Sequence, residues 1–203
     1  MNKPLFIIHR VNSIPNKSMQ NSNGFEIDIR EDNNELILCH DPFTKGISLK
    51  SIVPFLENKF IIFNIKAEGI EPYILEICSS LKNINYFFLD STMSSIFKAK
   101  GKYNFSSRLS EVEPIEISIK LKEKGLINWV WIDTFTSFPI TREHISLIRK
   151  NGLKTAFTSP DLLGRHEDIE LYAKELLNLK YIPDIICCKE NNIDIWRSFL
   201  NLN

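Results

Sequence analysis

Short apolar runs alternate with amphipathic stretches along the whole chain. Residues 5–10 predict a first strand, and Gly24–Asp41 predicts a β-hairpin that turns at Asp32-Asn33-Asn34. Further strands are predicted at residues 60–66, 85–90, 103–109, 129–133, 154–158 and 183–189. Helices are predicted at residues 48–58, 70–82, 94–100, 114–124, 141–151, 167–179 and 193–200.

About eight strands alternating with helices suit either a closed parallel barrel or an open doubly wound sheet. An open sheet concentrates its site at one switch point, whereas a barrel collects residues from nearly all its strand ends. Polar side chains end most of the predicted strands: His9, Glu26/Asp28, Asn64/Lys66, Asp90, Arg108, Asp133, Ser159 and Lys189. The pattern therefore predicts an α/β fold, a trimmed TIM (β/α)8 barrel.

The length of 203 residues is below the roughly 250 residues typical of such barrels. We therefore expect a single domain over residues 1–203, with short loops and no large insertion. The 25 acidic and 25 basic residues balance, so no overall field favours nucleic acid or an anionic membrane surface, and neither is predicted as a partner, although a local basic patch stays open. The first apolar run is too short for a signal-peptide core or a membrane span, so a cytoplasmic location without stable membrane association is predicted. The pattern leaves the oligomeric state open.

Four cysteines lie in apolar segments without a paired Cys-x-x-Cys spacing. Reduced and mostly buried thiols are therefore expected.

The predicted hairpin carries the most specific chemical signal in the chain. Strand alternation places Glu26 and Asp28 on one face, where two acids repel each other unless a cation lies between them. The turn returns His40 and Asp41 to about the level of the two acids. Two acids at this spacing most often form a solvated face, but the histidines nearby favour a divalent metal site with an acid/base group beside it.

In order and approximate spacing, four motifs resemble those of the glycerophosphodiester phosphodiesterases, within the wider group of phosphatidylinositol-phospholipase-C-like phosphodiesterases. The motifs are His9-Arg10, Glu26-x-Asp28, His40-Asp41 and Asn64-x-Lys66. The resemblance covers the first third of the chain and is reduced to strand rhythm beyond it. It implies metal-dependent cleavage of a phosphodiester at the mouth of a barrel, with His9 and His40 as the acid/base pair.

The chemistry of phosphodiester cleavage gives each residue of these motifs a role. Hard divalent cations, Mg²⁺ or Ca²⁺, prefer oxygen ligands, and one such ion would be held by Glu26, Asp28 and Asn64. Arg10 and Lys66 would bind the phosphate of a small-molecule substrate. Further pocket candidates share a position at strand ends or next to the motifs: Asp41, Glu68, Asp90, Arg108, Trp131, Asp133 and Lys189.

Two departures from the family motifs leave alternatives open. Asn64 stands where a third acidic ligand is expected, which lowers metal affinity unless Glu68 or Asp90 compensates. Val11 replaces the glycine after His-Arg and resists a positive φ, so a different turn is expected there. One alternative is a binding barrel without turnover. Another is a phosphodiesterase that acts in surface-polysaccharide or nucleotide-sugar metabolism.

Overall fold

The computed structural model describes residues 3–19, 22–82 and 84–202. These residues form two compact units, residues 7–105 and the remainder, and the first strand passes from one to the other at Phe6-Ile7. Each unit contains strands, helices and an apolar core. A single domain over residues 1–203 is not decided by this division and stays a prediction.

The unit of residues 7–105 is built around a long central strand. Its strands are β1 (Leu5–Ile8, from Ile7 on), β2 (Gly24–Asp32), β3 (Glu35–Leu38), β4 (Ile47–Ser48), β5 (Phe60–Ile65) and β6 (Asn85–Leu89), and its helices are α1 (Leu49–Ile52), α2 (Glu71–Ile77) and α3 (Met93–Ala99). The strand β2 pairs in parallel with β1 and β5, and β5 pairs in parallel with β6. Antiparallel pairing joins β2 to β3 and β3 to β4.

The predicted hairpin is confirmed. Asp32 pairs with Glu35 across the turn, and Asn33 and Asn34 have φ angles of 50° and 64°, a left-handed conformation that asparagine tolerates better than most residues. The backbone N–H of Cys39 donates to the carbonyl of Asp28 at 3.0 Å. The chain after β3 therefore returns to the level of the acidic pair.

The strand β2 is buried on both faces. Phe25, Ile27 and Ile29 are fully buried, and strand alternation places Glu26 and Asp28 together on the opposite face. At Gly24 an added Cβ would collide with the backbone carbonyl of Phe60. Only glycine allows β2 and β5 to approach this closely.

The other unit has a parallel set of strands. They are β7 (Ser106–Leu109), β8 (Trp129–Ile132), β9 (Lys154–Thr158) and β10 (Ile185–Cys188), and the helices are α4 (Ile115–Glu123), α5 (Arg142–Lys150), α6 (Ile169–Asn178) and α7 (Ile193–Phe199). Each strand pairs in parallel with the next along the chain. Its core includes Trp196 and Phe157, whose rings meet edge to face at 6.1 Å.

Every predicted strand and helix is present; the strand predicted at 154–158 has the predicted bounds, and the others are shifted at one or both ends. The helices predicted at 48–58 and 70–82 are shorter, because single 3₁₀ turns at Val53–Phe55 and Cys78–Ser80 follow α1 and α2. The strand predicted at 103–109 begins at Ser106. The start of α5 is fixed by a reciprocal cap in which Thr141 and His144 each accept a backbone N–H of the other.

All four cysteines are buried, as predicted. Burial raises the pKa of the Cys78 thiol to about 12, so this side chain is an apolar packing group and a poor nucleophile. Among the helices of the described residues, none is long and apolar enough to cross a membrane.

Candidate active site

A buried pair of carboxylates on β2 forms the centre of the candidate site. Glu26 and Asp28 have 0% and 1% of their surface exposed. Across the parallel pairing with β5, Asp28 lies beside Asn64. Buried charge needs compensation from hydrogen bonds and opposite charges, and the residues around the pair supply both.

Glu26 accepts one hydrogen bond at each carboxylate oxygen. The backbone N–H of Arg10 donates to Oε2 at 2.7 Å, and the amide Nδ2 of Asn64 donates to Oε1 at 2.9 Å. Burial and the neighbouring charge of Asp28 nevertheless raise the pKa of Glu26 from 4.5 to about 7. The donors around Glu26 therefore do not fully offset the cost of holding two acids in one buried place.

Asp28 is held by a side chain that the motifs did not single out. Nδ2 of Asn12 donates to Asp28 Oδ2 at 2.7 Å, and the backbone N–H of Asp28 donates to Asn12 Oδ1 at 2.9 Å. Two cations flank the same carboxylate, with Lys66 Nζ 3.5 Å from Oδ1 and Arg10 Nε 3.7 Å from Oδ2. The predicted phosphate-binding cations thus lie directly beside the predicted metal ligands.

The turn after β1 is made by Arg10. Arg10 has φ 55°, while the following Val11 is buried and its N–H donates to the carbonyl of Glu26 at 2.8 Å. The different turn expected at Val11 is therefore found. The residue in the left-handed conformation is Arg10, at position 10, and not the residue at position 11. A positive φ is unfavourable for a long side chain, so the contacts of Arg10 with Glu26 and Asp28 hold the turn in place.

The two predicted acid/base histidines have different surroundings. His9 Nε2 lies 3.6 Å from Glu26 Oε2, and about a fifth of its side chain is exposed. His40 Nδ1 lies 2.7 Å from Asp41 Oδ1, and the side chain of Arg30 donates to the carbonyl of His40 at 3.0 Å. The hydrogen bond to His40 and, more weakly, the charges of His40, Arg10 and Arg30 lower the pKa of Asp41. Arg10 therefore acts electrostatically on Asp41 as well as on the buried pair.

The two acids that could compensate for Asn64 contact other side chains. Asp90 lies 3.3 Å from Lys66 Nζ. Glu68 accepts hydrogen bonds from Thr92 and Ser94 at the start of α3, at 2.8 and 2.7 Å. Neither contact brings a third carboxylate to Glu26 and Asp28.

The donor set fits a hard divalent cation with one neutral ligand. Among the described residues, no group of three or more His, Cys, Asp or Glu side chains could hold a metal. Two buried oxygens, Asp28 Oδ1 and Asn64 Oδ1, have no hydrogen-bond partner among the residues that the structure describes. Carboxylate and amide oxygens are ligands that Mg²⁺ and Ca²⁺ accept, so the third ligand would be the amide oxygen of Asn64.

The remaining pocket candidates belong to the other unit. Arg108 and Asp133 form an ion pair at the ends of β7 and β8. Trp131 is buried, with 4% of its surface exposed. Lys189 is exposed, and its backbone N–H donates to Asp161 at 3.2 Å.

Two residues of the site were missed in the sequence. Asn12 carries the only amide within the first three positions after His9, and Arg30 continues the polar alternation of Glu26 and Asp28 along β2. Their spacing from the motifs could have pointed to both residues. What Asn12 and Arg30 contact depends on the turn at Arg10 and on the hairpin register.

No protein-family model matches the chain, and no curated protein matches it in sequence. Its fold is shared with solved structures of glycerophosphodiester phosphodiesterases. One from Thermotoga maritima has a TM-score of 0.67 at 16% identity, with both chains covered in full. Two from Agrobacterium tumefaciens strain C58 have 12% identity: one named a glycerophosphodiester phosphodiesterase (TM-score 0.62, 98% of this chain and 100% of the other) and one assigned as a glycerophosphoryl diester phosphodiesterase (0.69, both covered in full).

This likeness over the whole chain confirms the predicted fold class, the α/β TIM barrel. At such low identity it establishes the fold alone.

Proposed function

We propose that the protein is a phosphoric diester hydrolase that cleaves a small glycerophosphodiester-like substrate with the help of one divalent cation. The observation that carries the proposal is the placement of Arg10 and Lys66 within 4 Å of the buried Asp28. A phosphodiester is anionic and needs charge neutralisation on its non-bridging oxygens. Arg10 and Lys66 would provide that neutralisation, and the carboxylates of Glu26 and Asp28 beside them would bind the divalent cation. The names of the structural neighbours support the same class of reaction.

Glu26, Asp28 and Asn64 would hold the cation, Mg²⁺ or Ca²⁺. When bound, such an ion polarises a phosphoryl oxygen and stabilises charge at phosphorus. Arg10 would grip the phosphate with its planar fork, and Lys66 would add a point charge. Asp90 holds Lys66 in place through the 3.3 Å contact.

His9 and His40 would transfer the protons. One histidine removes the proton from the attacking hydroxyl oxygen as the new P–O bond forms. The other gives a proton to the leaving alkoxide as the old P–O bond breaks. The contact of Asp41 with Nδ1 of His40 leaves Nε2 of that ring available for proton transfer. By resemblance to the family, a neighbouring hydroxyl of the substrate can attack first, and water then opens the cyclic product.

The direct test is cleavage of a generic aryl phosphodiester, bis(4-nitrophenyl) phosphate, in Mg²⁺, in Ca²⁺ and in chelator. We expect cation-stimulated release of nitrophenol that His40→Ala and Glu26→Ala abolish. His166→Ala is the matched control, because His166 is exposed and lies in the other unit. If the wild-type protein cleaves the aryl phosphodiester in neither cation, the proposed hydrolase activity is refuted.

A binding barrel without turnover is the second candidate, and the hydrogen bond from Asn64 to Glu26 favours it. That bond satisfies one oxygen of Glu26 without a cation. Calorimetric titration separates the candidates. Glycerol phosphate binding that is independent of Mg²⁺ and Ca²⁺, in protein that does not cleave the aryl phosphodiester, identifies the binding barrel.

A further inference from the structure

Phe43 is a fully exposed phenylalanine on the loop that follows His40 and Asp41, with 106% of its surface accessible. Pro42 and Phe43 form the centre of a turn between Asp41 and Thr44, and Phe43 has φ 61°. A proline followed by a left-handed residue is the pattern of a type II turn, whose third position favours glycine or asparagine. Phe43 therefore combines an unfavourable backbone conformation with an aromatic ring that is left in solvent.

The fold itself does not require a phenylalanine at position 43. Glycine would adopt the same φ without strain, and a fully exposed ring gains nothing from burial that would offset the strain. Single exposed apolar residues are common on protein surfaces, but a bulky residue at positive φ is an outlier, and such residues cluster at active sites and ligand-binding sites. A bound ligand would supply the burial that the fold does not give this ring.

The loop holds Phe43 next to the proposed reaction centre. The hydroxyl of Thr44 donates to the carbonyl of Asp41 at 2.8 Å and lies 2.6 Å from Sγ of the buried Cys39. The side chain of Asp41 contacts Nδ1 of His40 at 2.7 Å. Because consecutive Cα atoms are about 3.8 Å apart, the Cα of Phe43 lies within about 8 Å of the Cα of Asp41. An organic group attached to a phosphate at His40 is therefore within reach of the Phe43 ring.

We propose that Phe43 determines substrate specificity by packing against an aromatic ring on one of the two alcohols of the phosphodiester. This role rests on the proposed function, since it takes the phosphate to lie between His40 and the cations Arg10 and Lys66. Two aromatic rings in contact bury apolar surface and gain a further attraction from their geometry. Aryl esters and nucleoside esters share this chemistry. Diesters whose alcohols are both small and polar would lack the contact.

The test compares the full-length wild type with Phe43→Gly, Phe43→Ala and Phe43→Tyr by calorimetric titration in Ca²⁺. The ligands are phenyl phosphate, uridine 5′-phosphate and glycerol 3-phosphate, all monoesters, so that binding is measured without turnover. The wild type should bind a ring-bearing ester about fivefold or more tightly than glycerol 3-phosphate. Phe43→Gly and Phe43→Ala should remove this preference, and Phe43→Tyr should keep it. The more tightly bound of the two ring-bearing esters identifies the kind of ring.

Urea unfolding distinguishes a specificity role from a structural one. Phe43→Gly should be at least as stable as the wild type, because glycine relaxes the backbone and no buried contact is lost. Phe97→Ala is the matched control, since Phe97 is an exposed phenylalanine on α3 of the same unit, and it should leave the ligand preference unchanged. A wild type without preference for the ring, or a preference that Phe43→Ala leaves intact, would overturn the role of Phe43.

Cleavage of bis(4-nitrophenyl) phosphate separates this role from the proposed hydrolase activity. Phe43→Ala should raise KM about fivefold with little change in kcat, because the ring contact is made equally in the ground state and the transition state. An unchanged KM in a protein that cleaves the diester would overturn the role of Phe43 and leave the hydrolase standing. A wild type that cleaves nothing but loses its ring preference in Phe43→Ala would refute the hydrolase and support the role of Phe43.

Discussion

Asn12 and Asp28 are joined by two hydrogen bonds that run in opposite directions, one from the amide of Asn12 and one from the backbone of Asp28. This pairing fixes Oδ2 of Asp28, while Oδ1 lies 3.5 Å from Lys66 Nζ. A side chain with no charge thus sets the orientation of a carboxylate at the centre of the proposed reaction.

Asn12→Ala should lower the free energy of unfolding by about 1–3 kcal/mol, because it leaves a buried carboxylate oxygen and a backbone N–H without hydrogen-bond partners. Catalysis should fall together with stability, since Asp28 loses its fixed orientation. Urea unfolding and the rate of aryl phosphodiester cleavage measure the two effects. Asn104→Ala is the matched control, an exposed asparagine of the same unit. Equal stabilities of the two variants would show that the two hydrogen bonds between Asn12 and Asp28 contribute nothing to the free energy of unfolding.

The raised pKa of Glu26 makes stability depend on pH. The folded protein holds the Glu26 proton up to a pKa of about 7, against 4.5 for the ordinary group, so it binds more protons than the unfolded chain between these values. The protonated Glu26 therefore stabilises the folded protein fully below pH 4.5, and this stabilisation is lost as the pH rises through 7. The free energy of unfolding should differ by about 3 kcal/mol between the two limits.

Urea unfolding at a series of pH values in chelator measures this dependence. The difference between wild type and Glu26→Gln isolates the contribution of Glu26. Parallel curves for the two proteins would contradict the assigned pKa. Excess Ca²⁺ should reduce the loss of stability, because a bound cation favours the ionised carboxylate.

Asn64→Asp should strengthen divalent cation binding about tenfold or more, since it adds a charged ligand beside Glu26 and Asp28. In chelator the same variant should be less stable than wild type, because a third acid joins a buried pair and the hydrogen bond to Glu26 is lost. Calorimetry with Mg²⁺ and Ca²⁺ gives the affinity, and urea unfolding gives the stability. Asn64→Leu serves as the comparison, because leucine at position 64 has no oxygen that could bind a cation. Equal cation affinity in the Asp and Leu variants would exclude residue 64 as a ligand.

Arg10→Gly and Arg10→Ala separate backbone strain from charge. Both variants lose the guanidinium, so both should lose phosphate affinity. Only glycine relaxes the φ of 55°, so Arg10→Gly should be more stable than Arg10→Ala by about 1 kcal/mol. Urea unfolding of the two proteins compares them directly. An alanine variant as stable as the glycine variant would show that the turn at position 10 carries no strain.

The apolar runs predicted the strands well because a strand buried on both faces needs a nearly continuous apolar sequence. Alternation also placed Glu26 and Asp28 on one face. The role of Asn12 could not be predicted, because it depends on a left-handed turn at Arg10 in place of position 11. The ends of α1 and α2 were missed for a similar reason, since a 3₁₀ turn satisfies the last carbonyls of a short helix without a sequence signal of its own.

The acidic pair, both histidines and both flanking cations all lie between residues 9 and 66. One uninterrupted stretch of coding sequence therefore specifies the whole proposed reaction centre. A single recombination event could therefore transfer these residues together. In distant homologues we expect residues 9–66 to be inherited as a block and to diverge more slowly than the rest.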